Sequence, residues 1–529
     1  MRSSDVARVV TSAALLAAPL GLAGCGAADS TAPASSPSAA DPRAWSAVDI
    51  PNSQIDAAIA SLDGIADTTM AKTGVPGMAI AVVHDGEVVY AKGFGVRKAG
   101  ANGAVDADTI FQVASVSKPI GASVVASVVG TGKVAWSDTV ATYMPDFALS
   151  DPYVTSHVTV ADLYAMRSGL PDEAGDDLEW MGYDRAQVLQ RLRYLPLAPF
   201  RADYHYTNFG LAAGAQAVAN ATGTTWERLS KDRIYAPLGM TRTTSNYAEF
   251  LASDNRAALH SKVDGRFTAT EVRDPQAQSP AGGVSTTAND MAKWMIMELG
   301  QGTYQGTQVV DAKALQESLL PAMTSRPAAQ PDQRSSQFGY GIGVGTDGTG
   351  RMRYSFSGAF TVGAATNFSL LPSEGLGISV FTNAQPIGAA EAISNEFMDR
   401  AETGASTQDW LAVMGQALGS ATGSLPTPPP APTSPVPPAP LATYAGAYSN
   451  DYYGPMTVAV EGDALVARVG PAAKEFPLRP YDGNTFATPV TYTDVWLPSV
   501  TFQAEAGSAA TSVTFGQFND NGLGTFTRN

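Results

Sequence analysis

The order of apolar and polar positions divides the chain into stretches of different kind. Near the start, Val9 to Leu22 is an apolar run that follows Arg2 and Arg8. Ordered structure is expected from near Ile50. In GMAIAVVHDGEVVYAKGFG two apolar runs are separated by His84-Asp85-Gly86, the pattern of a β-hairpin. Further on, TVADLYAM and NDMAKWMIMEL read as helices, and ATNFSLLPSEGLGISVFTN reads as a strand pair turning at Pro372 to Gly375. At Leu425 the pattern breaks into LPTPPPAPTSPVPPAP, which favours an extended polyproline segment and cannot continue a helix or sheet. Short alternating strands with Gly/Asp turns follow it and predict a separate small all-β module. No internal repeat is found.

Composition adds domain count and location. The chain has 529 residues, more than one compact domain holds, and 44% of them are hydrophobic, enough for a large core. A formal net charge of −16, with no Lys/Arg cluster, argues against a nucleic-acid partner. Val9–Leu22 is too short for a membrane span and reads as a secretory signal. The Leu22-Ala23-Gly24-Cys25 stretch resembles the bacterial lipoprotein cleavage box. That resemblance implies lipidation of Cys25 and a secreted protein held by acyl chains on the outer face of the bacterial cell membrane, anchored rather than spanning. Cys25 is the only cysteine, so no disulfide forms within the chain. The expected organisation is a signal peptide over 1–25, an Ala/Ser/Pro-rich tether over 26–49, a main domain over 50–405, a Pro-rich linker over 406–440 and an all-β domain over 441–529.

Candidate chemistry centres on Ser115-Val116-Ser117-Lys118. A serine hydroxyl is a weak nucleophile that needs a neighbouring base. Residues three apart share a helix face, so Lys118 can reach Ser115. Three residues past Ser117 stands Ile120, and no other lysine of the chain has a serine three positions before it. Burial lowers a lysine pKa and makes it a base, and a serine at the first turn lies at the positive end of the helix dipole. The alternative is a capped helix with Lys118 on a solvated face.

The flanks of this motif, DTIFQVASVSKPIGASVVASVVGTGKVAWSDTVATYMP, resemble the nucleophile helix of the serine β-lactamase and penicillin-binding protein superfamily. VTVADLYAMRSGLPD, RIYAPLGMTRT and AGGVSTTANDMAKWM resemble the branch with class C β-lactamases, D-aminopeptidases and β-lactamase-like esterases, in the expected order, over Val75 to Asn383. The resemblance implies an α+β fold: a β-lactamase/transpeptidase-like domain, an antiparallel sheet flanked by a helical region, followed by a small all-β, barrel-like domain. It also implies a Tyr-x-Asn element, met by Tyr206-Thr207-Asn208, in which Tyr206 relays a proton and Asn208 orients substrate or lysine. A phenol held as phenolate beside lysine suits that relay. Tyr448-Ser449-Asn450 matches the same pattern but lies beyond the proline stretch with no nucleophile near it.

The third implied element is Lys-Thr-Gly or His-x-Gly on a strand edging the site. Lys72-Thr73-Gly74 matches literally but precedes the nucleophile, and Phe356-Ser357-Gly358 stands at the corresponding place. Gly358 is expected to let the backbone approach a substrate closely, and the N–H groups of Ser115 and Ala359 to form the oxyanion hole. Phe356 brings no cation for a substrate carboxylate, which would need Arg351 or Arg353 instead. The expectation is an envelope-anchored hydrolase that acts through an acyl-enzyme on a small ester or amide. The alternatives are a D-alanyl-D-alanine carboxypeptidase or β-lactamase, and a weak or inactive envelope binding protein. No Gly-x-Ser-x-Gly or His-Glu-x-x-His occurs, and no cofactor or metal is implied.

Overall fold

The computed structural model describes residues 46, 48–269, 272–421, 427–490 and 495–529. Cys25, the apolar run before it and the tether, apart from Ser46, Val48 and Asp49, therefore lie outside the described residues. Two architectures follow one another along the chain: an α+β domain built on one antiparallel sheet, and a closed barrel.

The sheet contains β1 (Gly77–His84), β2 (Glu87–Gly95), β3 (Met323–Arg326), β4 (Ser336–Phe338), β5 (Gly343–Thr346), β6 (Met352–Phe360), β7 (Ala364–Leu371) and β8 (Leu376–Thr382), ordered β2-β1-β8-β7-β6-β5-β4-β3. The hairpin turns at Asp85 and Gly86, both at positive φ, and β7 and β8 are joined by a single turn at Pro372–Glu374. The central strands β7 and β8 are buried at every residue because both faces are covered. On β1, Met78, Ile80 and Val82 pack with one core while Ala79, Ala81 and Val83 pack with another. The first core is closed by α1 (Asn52–Ala60), α2 (Leu62–Thr73) and α7 (Ala389–Thr403). The second lies under the helical region between β2 and β3. That region includes α3 (Ser117–Val129), α4 (Asp176–Trp180), α5 (Asn208–Thr222) and α6 (Ala288–Leu299). Helix α3 is buried on every side from Ser117 to Val128, and its polar side chains Ser117, Lys118, Ser123 and Ser127 are each hydrogen-bonded inside.

The stretch expected as linker from 406 opens instead with a helix, α8 (Trp410–Ala421), which packs against α7. Its residues precede the clustered prolines, so nothing there prevents helix formation. The barrel closes in the order β9 (Gly446–Asn450), β10 (Gly454–Glu461), β11 (Ala464–Val469), β12 (Lys474–Asp482), β13 (Thr485–Pro489), β14 (Trp496–Gln503), β15 (Ser512–Phe515) and β16 (Thr525–Arg528). Alternate residues fill it, as Leu465, Ala467 and Val469 do on β11. Its core is continuous with Leu178, Met181 and Tyr183 of the helical region.

Candidate active site

Two serines stand at the start of α3, and the structure gives them different work. Ser115 lies in a short 3-10 turn, Ala114–Val116, ahead of the helix proper. Ala114 has φ 46°, left-handed backbone that costs a non-glycine residue on the order of 1–3 kcal/mol. Ser117 braces that turn: its Oγ donates to Ala114 O (2.6 Å) and accepts from Val284 N (2.9 Å), and the residue is fully buried. Ser115 is half-buried and presents its hydroxyl to two other groups.

The first is Lys118, whose side chain has no solvent contact. Its Nζ lies 3.0 Å from Ser115 Oγ, 2.6 Å from Asn208 Oδ1 and 3.0 Å from Ala281 O. Two of these partners can only accept. A neutral amine has two N–H groups, and Asn208 and Ala281 take both, which aims the lone pair at the Ser115 hydroxyl. Burial lowers the Lys118 pKa to about 7, against the opposing pull of Asp176.

The second is Tyr206, whose hydroxyl lies 2.6 Å from Ser115 Oγ. Burial raises its pKa well above the ordinary phenol range, and Tyr204, Asp176 and Glu173 add to the rise against the Ser115 hydrogen bond. Burial thus favours the neutral phenol over the phenolate at Tyr206 in the free protein. Lys118 Nζ lies 4.6 Å over the Tyr206 ring, a cation beside the phenol whenever the lysine is protonated. The backbone of Tyr206 is held by the preceding loop: its N–H donates to Asp172 Oδ1 (2.6 Å) and its carbonyl accepts from Glu173 N (2.8 Å). Two residues on, α5 begins at Asn208, which places that amide against Lys118.

Asn208 Nδ2 donates to Asp176 Oδ2 (2.7 Å). Sequence reasoning did not single out Asp176. Its carboxyl is raised to about 8 by burial first, then by Glu179 and Glu173, while the Asn208 hydrogen bond and Lys118 oppose the rise.

Past Ser355 the edge of β6 loses its partner β5, and the Ala114–Val116 turn packs there. Gly358 is what permits this. A Cβ on it would fall 2.2 Å from Val113 O and 2.7 Å from the backbone nitrogens of Ser115 and Val116. Gly358 thus lets the Ala114–Val116 turn pack tightly on the edge of β6. Ala359, next along the edge, is exposed; Ser357 is also exposed, and its Oγ accepts from Asn367 Nδ2 (3.0 Å).

Phe356 faces the same side as Gly358 and packs at a tilt against Phe338, ring centroids 5.7 Å apart. Neither arginine expected to compensate for it can do so. Arg353 is three positions away on the strand, hence on the opposite face, where it bonds Ser369 Oγ (2.5 Å) and Asn395 Oδ1 (3.0 Å). Arg351 is engaged by Glu374 (2.7 Å) and Val48 O (2.6 Å). The cation beside the end of this strand is Arg273, which lies over the Phe360 ring at 5.3 Å and is paired with Glu179. The two look-alike motifs sit elsewhere. Lys72-Thr73-Gly74 ends α2, with Gly74 in the left-handed cap. Tyr448 is buried in the barrel, its hydroxyl donating to Tyr444 O (2.7 Å).

Comparison with known proteins bears on both domains. The Beta-lactamase family model matches residues 62–402, and a family described as a domain of unknown function, DUF3471, matches residues 430–524. Beta-lactamase-like protein 2 of Dictyostelium discoideum is 26% identical over 272 residues, covering 49% of this chain and 48% of that protein. The D-alanyl-D-alanine-carboxypeptidase/endopeptidase AmpH of Escherichia coli K12 is 27% identical over 255 residues, covering 47% of this chain and 64% of its own. The match thus spans about half to two thirds of these relatives. Among solved structures, the octameric penicillin-binding protein homologue from Pyrococcus abyssi has the same fold, with TM-score 0.58 and 20% identity over 86% of this chain and 96% of that one.

Proposed function

This chain belongs to the Beta-lactamase family, whose model it matches over residues 62–402, and from that premise we propose that it is a serine hydrolase working through an acyl-enzyme on a small neutral ester or amide. The observation that carries the reading is Ser115 Oγ held between Lys118 Nζ (3.0 Å) and Tyr206 OH (2.6 Å), with both Lys118 N–H groups committed elsewhere.

The steps follow from that arrangement. Neutral Lys118 takes the Ser115 proton as Oγ bonds to the substrate carbonyl carbon. The carbonyl oxygen, now an oxyanion, is received by the Ser115 and Ala359 N–H groups, each such donor being worth about 3 kcal/mol or more in the transition state. Tyr206 gives its proton to the leaving oxygen or nitrogen as that bond breaks, and is reprotonated at the expense of the Lys118 ammonium. Water then attacks the acyl-Ser115 ester, its proton passing back through the same groups, so that acid and free Ser115 result.

Substrate class rests on charge. Phe356 supplies no cation, and Glu173, Asp176 and Glu179 raise the proton affinity of neighbouring acids, so the site's field disfavours an anion. Arg273 supports a second reading, a carboxypeptidase in which a substrate carboxylate displaces Glu179 from that guanidinium. The Leu22–Cys25 box and the apolar run before it support a secreted, lipid-anchored enzyme, a reading that incorporation of labelled palmitate, abolished in Cys25→Ser, would test. For the reaction itself, the test is hydrolysis of p-nitrophenyl acetate and butyrate by the chain beside Ser115→Ala. Turnover lost in the variant is expected; equal turnover in both would overturn the reading.

A further inference from the structure

The barrel belongs to a domain family described only as of unknown function, yet it is docked on the residues that stand behind the candidate base. Tyr452 follows β9 and reaches out of the barrel to the start of α4. Its hydroxyl accepts from Gly175 N (3.2 Å) and donates to Asp177 Oδ1 (3.0 Å). Asp176 sits between those two contacts. The rest of the interface fixes the same segment. Ala472 N donates to Met181 O (2.9 Å), and Tyr183 OH donates to Tyr453 O (2.8 Å). Backbones meet so closely that a Cβ on Gly182 would fall 2.7 Å from Ala472 Cβ, and one on Gly470 2.6 Å from Met181 Cβ.

From Asp176 a chain of hydrogen bonds leads inward. Asp176 Oδ2 accepts from Asn208 Nδ2 (2.7 Å), and Asn208 Oδ1 accepts from Lys118 Nζ (2.6 Å). The amide is thereby fixed in one orientation: its NH2 must face the carboxylate, so its oxygen must face the lysine. A half-turn of Asn208 would set an NH2 against Nζ and leave the amine an N–H without its acceptor. The other carboxyl oxygen, Asp176 Oδ1, is buried with no hydrogen-bond partner among the described residues. An orphaned buried acceptor is costly, so the Asn208 bond alone leaves the carboxyl underheld, and the contacts on flanking Gly175 and Asp177 bear on its placement.

We propose that the C-terminal barrel completes the catalytic machinery by clamping, through Tyr452, the Gly175–Asp177 turn that presents Asp176 to Asn208, making Asp176 and Tyr452 positioning residues for Lys118. The inference rests on the serine-hydrolase reading above and adds a role for the barrel to it. Charge enters along the same route. The groups around Asp176 are Glu179 and Asp177 on its own helix, Glu173 on the preceding loop, Lys118 on α3, Tyr206 and Asn208 at α5, and Tyr452 and Tyr453 from the barrel. Lys118 is the cation among them, and the Asp176 carboxylate favours its ammonium. Burial holds the Asp176 carboxyl protonated up to about pH 8, so replacing it by asparagine changes the hydrogen bond to Asn208 more than the charge near Lys118.

The test uses the full chain and p-nitrophenyl butyrate. Asp176→Asn should lower kcat several-fold through the Asn208 hydrogen bond, with the acid limb of kcat/KM moved by only a few tenths of a pH unit. Tyr452→Phe should lower kcat several-fold with KM changed less than about twofold, and should add little when combined with Asp176→Asn, because both act on one path. Tyr448→Phe, which removes a hydrogen bond inside the barrel, should lower Tm without moving kcat or the limb. If Tyr452→Phe changes only Tm, or its effect multiplies in full with that of Asp176→Asn, the barrel is a passive appendage and the proposal is wrong. A wild type no faster than Ser115→Ala would instead overturn the hydrolase reading itself, and the clamp with it.

Discussion

Gly358 and Ser115 are in backbone contact: a single added methyl group on Gly358 would lie 2.7 Å from the Ser115 nitrogen and 2.2 Å from the carbonyl oxygen of Val113. Both obstacles are main chain and cannot rotate away. Gly358→Ala must therefore displace the nucleophile turn or β6, and displacements near 1 Å cost about 10²-fold in rate. The expected outcome is a fall in kcat of that order in p-nitrophenyl butyrate hydrolysis, with a folded protein by circular dichroism. An unchanged kcat would mean the turn is not held by the strand.

Lys118 as base predicts a pH profile of definite sign. With its pKa lowered to about 7 by burial, the amine is protonated and inactive below that value and free above it. The rate constant kcat/KM should rise through about pH 7 and level off. Lys118→Ala should lose the limb together with about 10²–10⁴-fold of the rate. A limb that persists in the variant would assign it to another group.

The contact between Lys118 Nζ and Ser115 Oγ was legible in four letters because it is local, set by helical spacing. The hairpin at Asp85-Gly86 and the pair β7–β8 were legible for the same reason, as apolar runs with turn residues between them. Asp176 was not, because its value comes from meeting Asn208, 32 positions along the chain, and an acidic run such as DEAGDDLE reads as solvated surface. Helix α8 was missed by extending the proline-rich composition back over residues that contain no proline. The exclusion of Arg353 lay within reach: strand alternation alone puts residues 353 and 356 on opposite faces.

Phe356 predicts substrate charge. Phe356→Lys places an ammonium on the face shared with Gly358, beside Phe338. The ratio of kcat/KM for carboxylate-bearing to neutral substrates should rise by about tenfold or more, roughly the worth of one charged hydrogen bond. Competition between a D-alanyl-D-alanine peptide and a neutral ester reads this ratio. A ratio already favouring the carboxylate in the wild type would move the weight to the Arg273 reading.

Glu298 predicts a stability change away from the site. It is buried on α6, accepts from Ser123 Oγ (2.5 Å), and its carboxyl is pushed up by burial to about 7 from an ordinary 4.5. The folded state keeps this proton where the unfolded state has released it, so stability is lost as pH rises from about 4.5 through 7. Glu298→Gln has no proton to lose. Its Tm relative to wild type should improve steadily between pH 5 and 8, by the equivalent of about 3 kcal/mol at most. A constant difference across that range would show that Glu298 is ionised in the folded protein.

The central claim is a covalent bond at Ser115, and trapping it is the most direct measurement. Wild type and Ser115→Ala are mixed with p-nitrophenyl butyrate, quenched in acid within the first turnovers, digested and mapped by mass spectrometry. One butyryl group is expected on the peptide containing Ser115, absent from the variant. Turnover with no acyl group on Ser115, or with the group on another residue, would contradict it.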